Sequence, residues 1–157
     1  MNKAARIPVT FIVTPPRVVA ISARVDFLSL DGVRSVFGLN SEKVLAMVED
    51  GRLLWVFTLA SHRAEQGMSR GLRFWVNEIA DPQTVKGMAL PQVIDSILGS
   101  KAFFTRGELV HRWITNRCVL CGLVRRDLPE ENGRITRASL AGFLARRWVG
   151  ANRGGAS

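Results

Sequence analysis

The hydrophobic pattern begins with two short segments that are typical of β-strands. Residues 8–13 and 17–25 are rich in Val and Ile, and Pro15 and Pro16 separate them. Branched side chains favour strands, whereas a pair of prolines interrupts one. The pattern therefore predicts two extended segments joined by a stiff turn.

Helical spacing then replaces this pattern from Leu28 and predicts two consecutive helices. The first helix is predicted to end at Gly38. The second is predicted over Glu42–Asp50, with either Asn40 or Ser41 as its N-cap. Polar caps at the start and glycine at the end are the usual boundaries of short helices.

A strand, a polar stretch and a third helix follow. Leu53–Leu59 is a strand by composition, and the residues over Ser61–Ser69 are mostly polar. Gly71 to about Ile79 is predicted to be helical. Asp81–Pro82 ends that pattern, so residues 83–90 are the best candidate for a linker.

The same order of elements returns in the second part of the chain. Thr105 is predicted to cap one helix, Thr115 or Asn116 the next, and Thr136 the last. The predicted elements are a helix over Pro91–Leu98 ended by Gly99, helices ending at Trp113 and Arg126, a tight turn at Glu130–Gly133, a short strand at Ile135 and a helix over Arg137–Trp148.

Residues 30–53 (the first copy) and 105–128 (the second copy) align as two helical hairpins with a short turn. Gly38 has no counterpart in the second copy. The alignment predicts that Val119 and Leu123 are buried against Leu109. The matched apolar pairs are Val33 with Leu109, Phe37 with Trp113, Leu39 with Ile114, Val44 with Val119, Val48 with Leu123 and Leu53 with Leu128. Such a hairpin leaves the outer face of its second helix free to enter a major groove.

Two segments carry a resemblance to known DNA-binding domains. EDGRL (49–53) ends the second helix of the first copy, and ITRASLAGFL (135–144) is similar to the end of an excisionase domain. Each copy resembles the winged helix-turn-helix of MerR-like and excisionase-like domains, over residues 28–80 and 103–148. The first copy departs from the family pattern in a longer wing, and the second lacks a glycine corresponding to Gly51.

The resemblance implies duplex DNA binding, either in transcriptional regulation or as an architectural factor in recombination. The expected fold is mainly α with small β wings, built from two tandem winged helix-turn-helix units and a short N-terminal β extension. The predicted segments are an extension at 1–27, a first unit at 28–82, a linker and connecting helix at 83–102, a second unit at 103–150 and a disordered tail at 151–157.

Composition narrows the class of protein. The 157 residues are 47% hydrophobic and carry a formal net charge of +9. That hydrophobic content excludes a disordered polyelectrolyte, and no apolar run approaches the roughly 20 residues of a membrane helix. The first apolar stretch is too short for a signal-peptide core. We expect a cytoplasmic, nucleoid-associated protein that does not contact membranes and binds double-stranded DNA.

The positive charge is concentrated in the second part of the chain. Residues 1–25 carry four bases and no acid, residues 26–83 six bases and eight acids, and residues 84–157 twelve bases and five acids. A basic surface that serves only solubility is the alternative explanation. Segregation of the charge favours a division of roles between the two copies.

The second copy supplies most of the predicted DNA contacts. Asn116 and Arg117 begin its second helix, where Asn reads adenine and Arg reads guanine, and Cys121 lies on the same face. Arg125 and Arg126 at the end of the helix suit phosphates. Three further arginines are assigned to phosphates: Arg106, Arg112 and Arg134. A solvated arginine face is the alternative.

The first copy has an acidic second helix that exposes Glu42, Glu49 and Asp50. Its predicted DNA contacts are Ser41 and Lys43 on the helix and His62, Arg63 and Arg70 in the wing. A wing arginine suits the minor groove. The acidic helix also leaves open an adaptor that docks a recombinase or polymerase subunit, and an RNA-binding adaptor remains a further alternative.

The two cysteines have the spacing of zinc ligands but lack partners in the sequence. Cys118-x-x-Cys121 supplies two ligands, a structural zinc site needs four, and His62 and His111 are the only histidines. No strand precedes the pair as in thioredoxin-like redox motifs, and no nucleophile is matched with a base. We therefore expect no enzyme activity, no metal and no cofactor. A homodimer stays open.

Overall fold

The computed structural model describes residues 25–59 and 71–150. The extended segments predicted before Val25, the predicted tail at 151–157 and the wing residues His62, Arg63 and Arg70 lie outside these ranges. The described chain is mainly helical with small antiparallel sheets, as the sequence predicts. None of its helices combines the length and apolar character needed to cross a membrane.

The first repeat runs from Phe27 to Ala80. Its elements are β1 (Phe27–Leu28), α1 (Leu30–Phe37), α2 (Ser41–Glu49), β2 (Val56–Thr58), β3 (Leu72–Trp75) and α3 (Val76–Ala80). Ser29 and Asn40 cap the two longer helices by accepting hydrogen bonds from backbone N–H groups. Gly38 ends α1 in the left-handed region at φ 66°, which confirms the predicted helix end.

The helix predicted over residues 71–79 is wrong in its first half. Leu72–Trp75 form the central strand of a sheet ordered β1-β3-β2, and the helix covers only Val76–Ala80. Phe74 pairs with Leu28 on one side and Val56 on the other. Two flanking strands satisfy the backbone of β3, and they override the local helical spacing.

The strand predicted over Leu53–Leu59 is shorter in the structure, because Glu78 replaces a strand partner at its start. The Glu78 carboxylate accepts the N–H groups of Leu54 at 3.0 Å and Trp55 at 2.9 Å. The predicted linker also differs from the structure, since it contains α4 (Pro82–Val85), whose Val85 is buried.

The second repeat runs from Phe103 to Arg147 and follows α5 (Leu90–Leu98). Its elements are β4 (Phe103–Phe104), α6 (Arg106–Arg112), α7 (Arg117–Arg126), β5 (Ile135–Thr136) and α8 (Arg137–Arg147). Thr105, Asn116 and Thr136 are the N-caps, within the predicted choices. The tight turn is confirmed by an isolated bridge between Glu131 and Arg134.

The two repeats correspond more closely than the sequence alignment predicts. Thr105 and Asn116 each lie 76 positions after the equivalent caps, Ser29 and Asn40. The strands β1 and β4 keep the same spacing. Both repeats therefore begin with strand, helix, helix and end with a strand followed by a helix, and the first repeat has one additional strand, β2.

This correspondence corrects the alignment at the turn between the two helices. Ile114 has a φ of 51° and occupies the left-handed position of Gly38, so that no residue is missing from the second copy. The counterpart of Val44 becomes Leu120, which is fully buried, whereas Val119 is only half-buried. Leu123 is buried as predicted.

The repeats share a hydrophobic core. Phe27 of the first repeat meets the Trp113 ring at 5.8 Å between centroids, and Trp113 stacks on Phe143 of α8. Trp148, directly after α8, stacks on Trp55 at 5.1 Å. These aromatic contacts pack the second repeat against the first.

Candidate nucleic-acid interface

The helix α7 carries exposed arginines over about half of its circumference, called the basic face, and buries the opposite side. Arg117, Arg125 and Arg126 are exposed, while Leu120 and Leu123 are fully buried. Arg117 lies in the first turn, and the other two arginines lie in the last turn. Arg125 and Arg126 also lie at the negative end of the helix dipole, so they stabilise the helix whether or not a ligand is bound.

Asn116 is exposed but partly occupied by its role as N-cap. Its side-chain oxygen accepts the Val119 N–H at 2.9 Å. Bidentate reading of adenine needs both the oxygen and the amide nitrogen of an asparagine. The cap therefore leaves the amide nitrogen as the available group, and Arg117 is the better candidate for reading a base.

Arg106 is held in a bidentate ion pair rather than standing open to phosphate. Its guanidinium donates to both carboxylate oxygens of Glu130 at 2.8 Å, and to the Cys121 sulfur at 3.1 Å. The Glu130 carboxylate raises the pKa of Arg106, and Arg106 lowers the pKa of Glu130. The three residues connect α6, α7 and the loop before β5.

The predicted phosphate contact of Arg112 is wrong, because the residue is buried. The residue is 8% exposed, and its Nε lies 3.0 Å from Oδ2 of Asp26. It also donates to the Ile97 carbonyl at 2.8 Å. Arg112 therefore contributes to the joining of the repeats and is excluded from the candidate interface.

Arg134 lies at the tight turn before β5 and remains exposed. Asn132 and Gly133 take positive φ values of 51° and 75°, which suits a two-residue hairpin turn. The guanidinium carbon of Arg134 lies 5.2 Å from the centre of the Phe103 ring, and Phe103 is itself 49% exposed. This places a cation and an aromatic ring together on one surface.

The helix α2 carries the opposite charge at corresponding positions. Glu49 and Asp50 stand where α7 has Arg125 and Arg126. Glu42, Lys43, Glu49 and Asp50 are exposed as predicted, and Ser41 is half-exposed. The two repeats therefore present similar helices with different electrostatics, and the basic face belongs to α7.

Sequence reasoning missed Arg73, which supports the turn before α7. Arg73 extends from β3 and donates to the Ile114 carbonyl at 2.7 Å and the Trp113 carbonyl at 3.0 Å. Burial lowers the pKa of Arg73 from its ordinary value. Positive φ is unfavourable for a β-branched residue, and these bonds help hold Ile114 there. No local pattern marks a contact over such a sequence distance.

Asp127 performs a similar function at the other end of α7. It caps the helix, and its carboxylate is paired with Arg146 at 3.0 Å and Arg147 at 3.3 Å. Arg146 and Arg147, at the end of α8, are thus engaged with protein groups. Both ends of α7 are fixed by charged contacts to other elements.

Residues 25–59 and 71–150 bring together no group of three or more His, Cys, Asp or Glu side chains that could hold a metal ion. A small cavity of about 110 Å³ opens between α6 and α7, with Arg106, Arg117 and Cys121 among its lining residues.

Comparison with known proteins gives no match to a family model, a curated protein or a solved structure.

Proposed function

We propose that this protein binds duplex DNA through the exposed face of α7 and the Glu131–Arg134 turn. The observation that carries the proposal is the basic face of α7, with Arg117, Arg125 and Arg126 exposed on a helix whose other face is buried. A helix with this division can lie against a charged surface without losing core contacts. The role would be that of a transcriptional regulator or an excisionase-like architectural factor.

The arrangement of elements supports two tandem winged helix-turn-helix units. In the second repeat, α6 and α7 are joined by the residues between Arg112 and Arg117, and β5 returns to pair with β4. In the first repeat, α1 and α2 are followed by a β2–β3 pair in the position of a wing. The resemblance to MerR-like and excisionase-like domains rests on the same order.

Within this proposal, base reading and backbone contact belong to different parts of the interface. Arg117 is in the first turn of α7, the part of a recognition helix that reaches base edges. Arg125 and Arg126, more than two turns away, are proposed to contact phosphates. Arg134, beside the exposed Phe103 ring, is proposed to contact the backbone or minor groove near the turn.

The acidic face of α2 favours a second candidate function, a protein adaptor. Glu42, Glu49 and Asp50 are exposed on a helix in the same position as α7, and they would repel phosphates. A basic partner protein would find complementary charge there. On this account Ser41 and Lys43 are weaker DNA candidates than the α7 residues.

The test uses the full-length protein and fluorescently labelled duplexes selected from a random library. Binding is measured by anisotropy at several salt concentrations, with scrambled duplex and double-stranded RNA of equal length as competitors. The proposal expects preference for the selected duplex and a steep decrease of affinity with salt. Equal competition by RNA would support an RNA adaptor, and absence of duplex binding at low salt would leave the protein adaptor.

A further inference from the structure

Both cysteines of the chain lie within one turn of α7. Cys118 is exposed, and Cys121 is half-buried and three residues further along the helix. The whole sequence contains two cysteines, so each is the other's only intramolecular partner.

The surroundings of Cys121 differ from those of an inert core cysteine. Arg106 donates from Nη1 to the sulfur at 3.1 Å, and Glu130 holds that guanidinium in place. Cys121 is also one of the residues that line the cavity of about 110 Å³ between α6 and α7. The Cys121 sulfur is therefore held beside a guanidinium group at the contact of α6 and α7.

Helix geometry brings the two residues near disulfide distance but not into it. Residues three apart in an α-helix have Cα atoms roughly 5 Å apart, inside the range for a disulfide. Their Cβ atoms lie roughly 5–6 Å apart, and a disulfide needs about 3.5–4.5 Å. Closing the bond therefore requires this turn of α7 to change shape, and strained disulfides of this kind are easily reduced.

We propose that Cys118 and Cys121 form a reversible disulfide by exchange with a low-molecular-weight disulfide. The exposed Cys118 thiolate attacks one sulfur of the small disulfide, forming a mixed disulfide and releasing one thiolate. Cys121 then attacks the Cys118 sulfur, the mixed disulfide breaks, and the second small thiolate leaves. The two cysteine protons end on the two released thiols, and the protein loses two electrons to the small disulfide.

The Cys118–Cys121 disulfide would alter the exposed face of α7. Its effect on DNA binding rests on the proposed function. The change of shape falls on the turn that follows Arg117, and it takes the Cys121 sulfur away from Arg106. We expect the disulfide form to bind selected duplex about tenfold more weakly, the size of one lost base contact.

The first measurement is a thiol count that does not involve DNA. The full-length protein is incubated with glutathione disulfide, alkylated under denaturing conditions and weighed by intact mass spectrometry. The expected product is a monomer about 2 Da lighter with no alkylated thiol, restored by dithiothreitol. Cys121→Ser should instead accumulate glutathione on Cys118. Two alkylated thiols after oxidation, or a disulfide-linked dimer, would overturn the proposal.

The second measurement compares duplex affinity before and after oxidation. Wild type should weaken about tenfold, and the double variant Cys118→Ser/Cys121→Ser should give the same affinity with and without glutathione disulfide. Unchanged affinity of a fully oxidised wild type would contradict the coupling to α7. If reduced protein binds no duplex while the 2 Da loss occurs, the proposed function fails and the disulfide stands.

Discussion

At the scale of single residues, the partners of each arginine decide its role. The sequence predicts DNA contacts for all three arginines of the second copy, with Arg117 reading a base and Arg106 and Arg112 contacting phosphates. In the structure Arg112 is buried against Asp26 and Arg106 is paired with Glu130, whereas Arg117 is exposed in the first turn of α7. Such pairing comes from distant parts of the chain and leaves no local signal.

Arg117→Ala should reduce affinity for selected duplex by about 1–3 kcal/mol and leave affinity for scrambled duplex nearly unchanged. The reason is that a side chain reading a base edge contributes only on the matching sequence. Titrations of both duplexes at several salt concentrations measure the difference. Equal weakening on both duplexes would show that Arg117 contacts the backbone alone.

Asp26→Ala should destabilise the protein by about 3–5 kcal/mol, because it leaves the buried Arg112 charge without its partner. The free energy of unfolding in urea measures this effect. Asp31→Ala is the matched control, since its carboxylate is exposed and pairs only at the surface with Arg34. Equal effects of the two substitutions would contradict a buried ion pair between Asp26 and Arg112.

Glu78 should make stability depend on pH above the ordinary range of a carboxyl group. Burial raises the pKa of Glu78 above its ordinary value of 4.5, against the opposing effect of the N–H groups of Leu54 and Trp55. The folded protein then keeps this proton to higher pH than the unfolded chain. Its contribution to stability is present below pH 4.5 and is lost as pH rises through the folded pKa.

The variant Glu78→Gln cannot titrate and should lack this decrease. Urea unfolding of both proteins from about pH 4 to 7 gives the comparison. The free energy of wild type relative to the variant should fall with rising pH. A difference that is constant, or that rises with pH, would contradict a raised pKa for Glu78.

At the scale of elements, local signals predict helices well and strands less well. Asn40, Thr105 and Thr136 cap helices as their residue types suggest, because a cap depends on neighbours within three positions. The strand β3 was missed because its pairing partners, β1 and β2, are remote in sequence. The left-handed residue in the turn was likewise predictable at Gly38, because glycine favours positive φ, but not at Ile114, because isoleucine does not.

The packing of α7 gives a prediction that separates the sequence alignment from the structural one. Leu120→Ala should cost about 2–5 kcal/mol as a core truncation, since Leu120 is fully buried. Val119→Ala should cost less, because Val119 is half-buried. Chemical denaturation of both variants measures the two costs. A larger cost for Val119→Ala would restore the alignment of Val119 with Val44.

At the scale of the whole molecule, the two repeats are joined through specific contacts. Arg73 of the first repeat supports the Ile114 turn of the second, and the Val149 N–H donates to the Val56 carbonyl at 2.8 Å. The repetition and the uneven distribution of charge are visible in the sequence. The contacts between the repeats are not, because they depend on the tertiary packing. The basic helix α7 packs into the core that the repeats share, whereas the acidic helix α2 packs into a second hydrophobic cluster within the first repeat.

The central claim is that the basic face of α7, rather than net charge alone, binds DNA. The most direct test compares duplex affinity of the full-length variants Arg125→Ala/Arg126→Ala and Arg34→Ala/Arg52→Ala, which lose the same charge from different repeats. Arg34 and Arg52 are exposed in the first repeat, with side chains 43% and 64% accessible. Thermal melts first establish that each variant is folded.

We predict that Arg125→Ala/Arg126→Ala weakens selected and scrambled duplex alike and lowers the slope of log affinity against log salt by about two. The charge-matched pair should change that slope little. Equal loss of affinity and slope in both double variants would contradict the account, because net charge would then explain binding without α7.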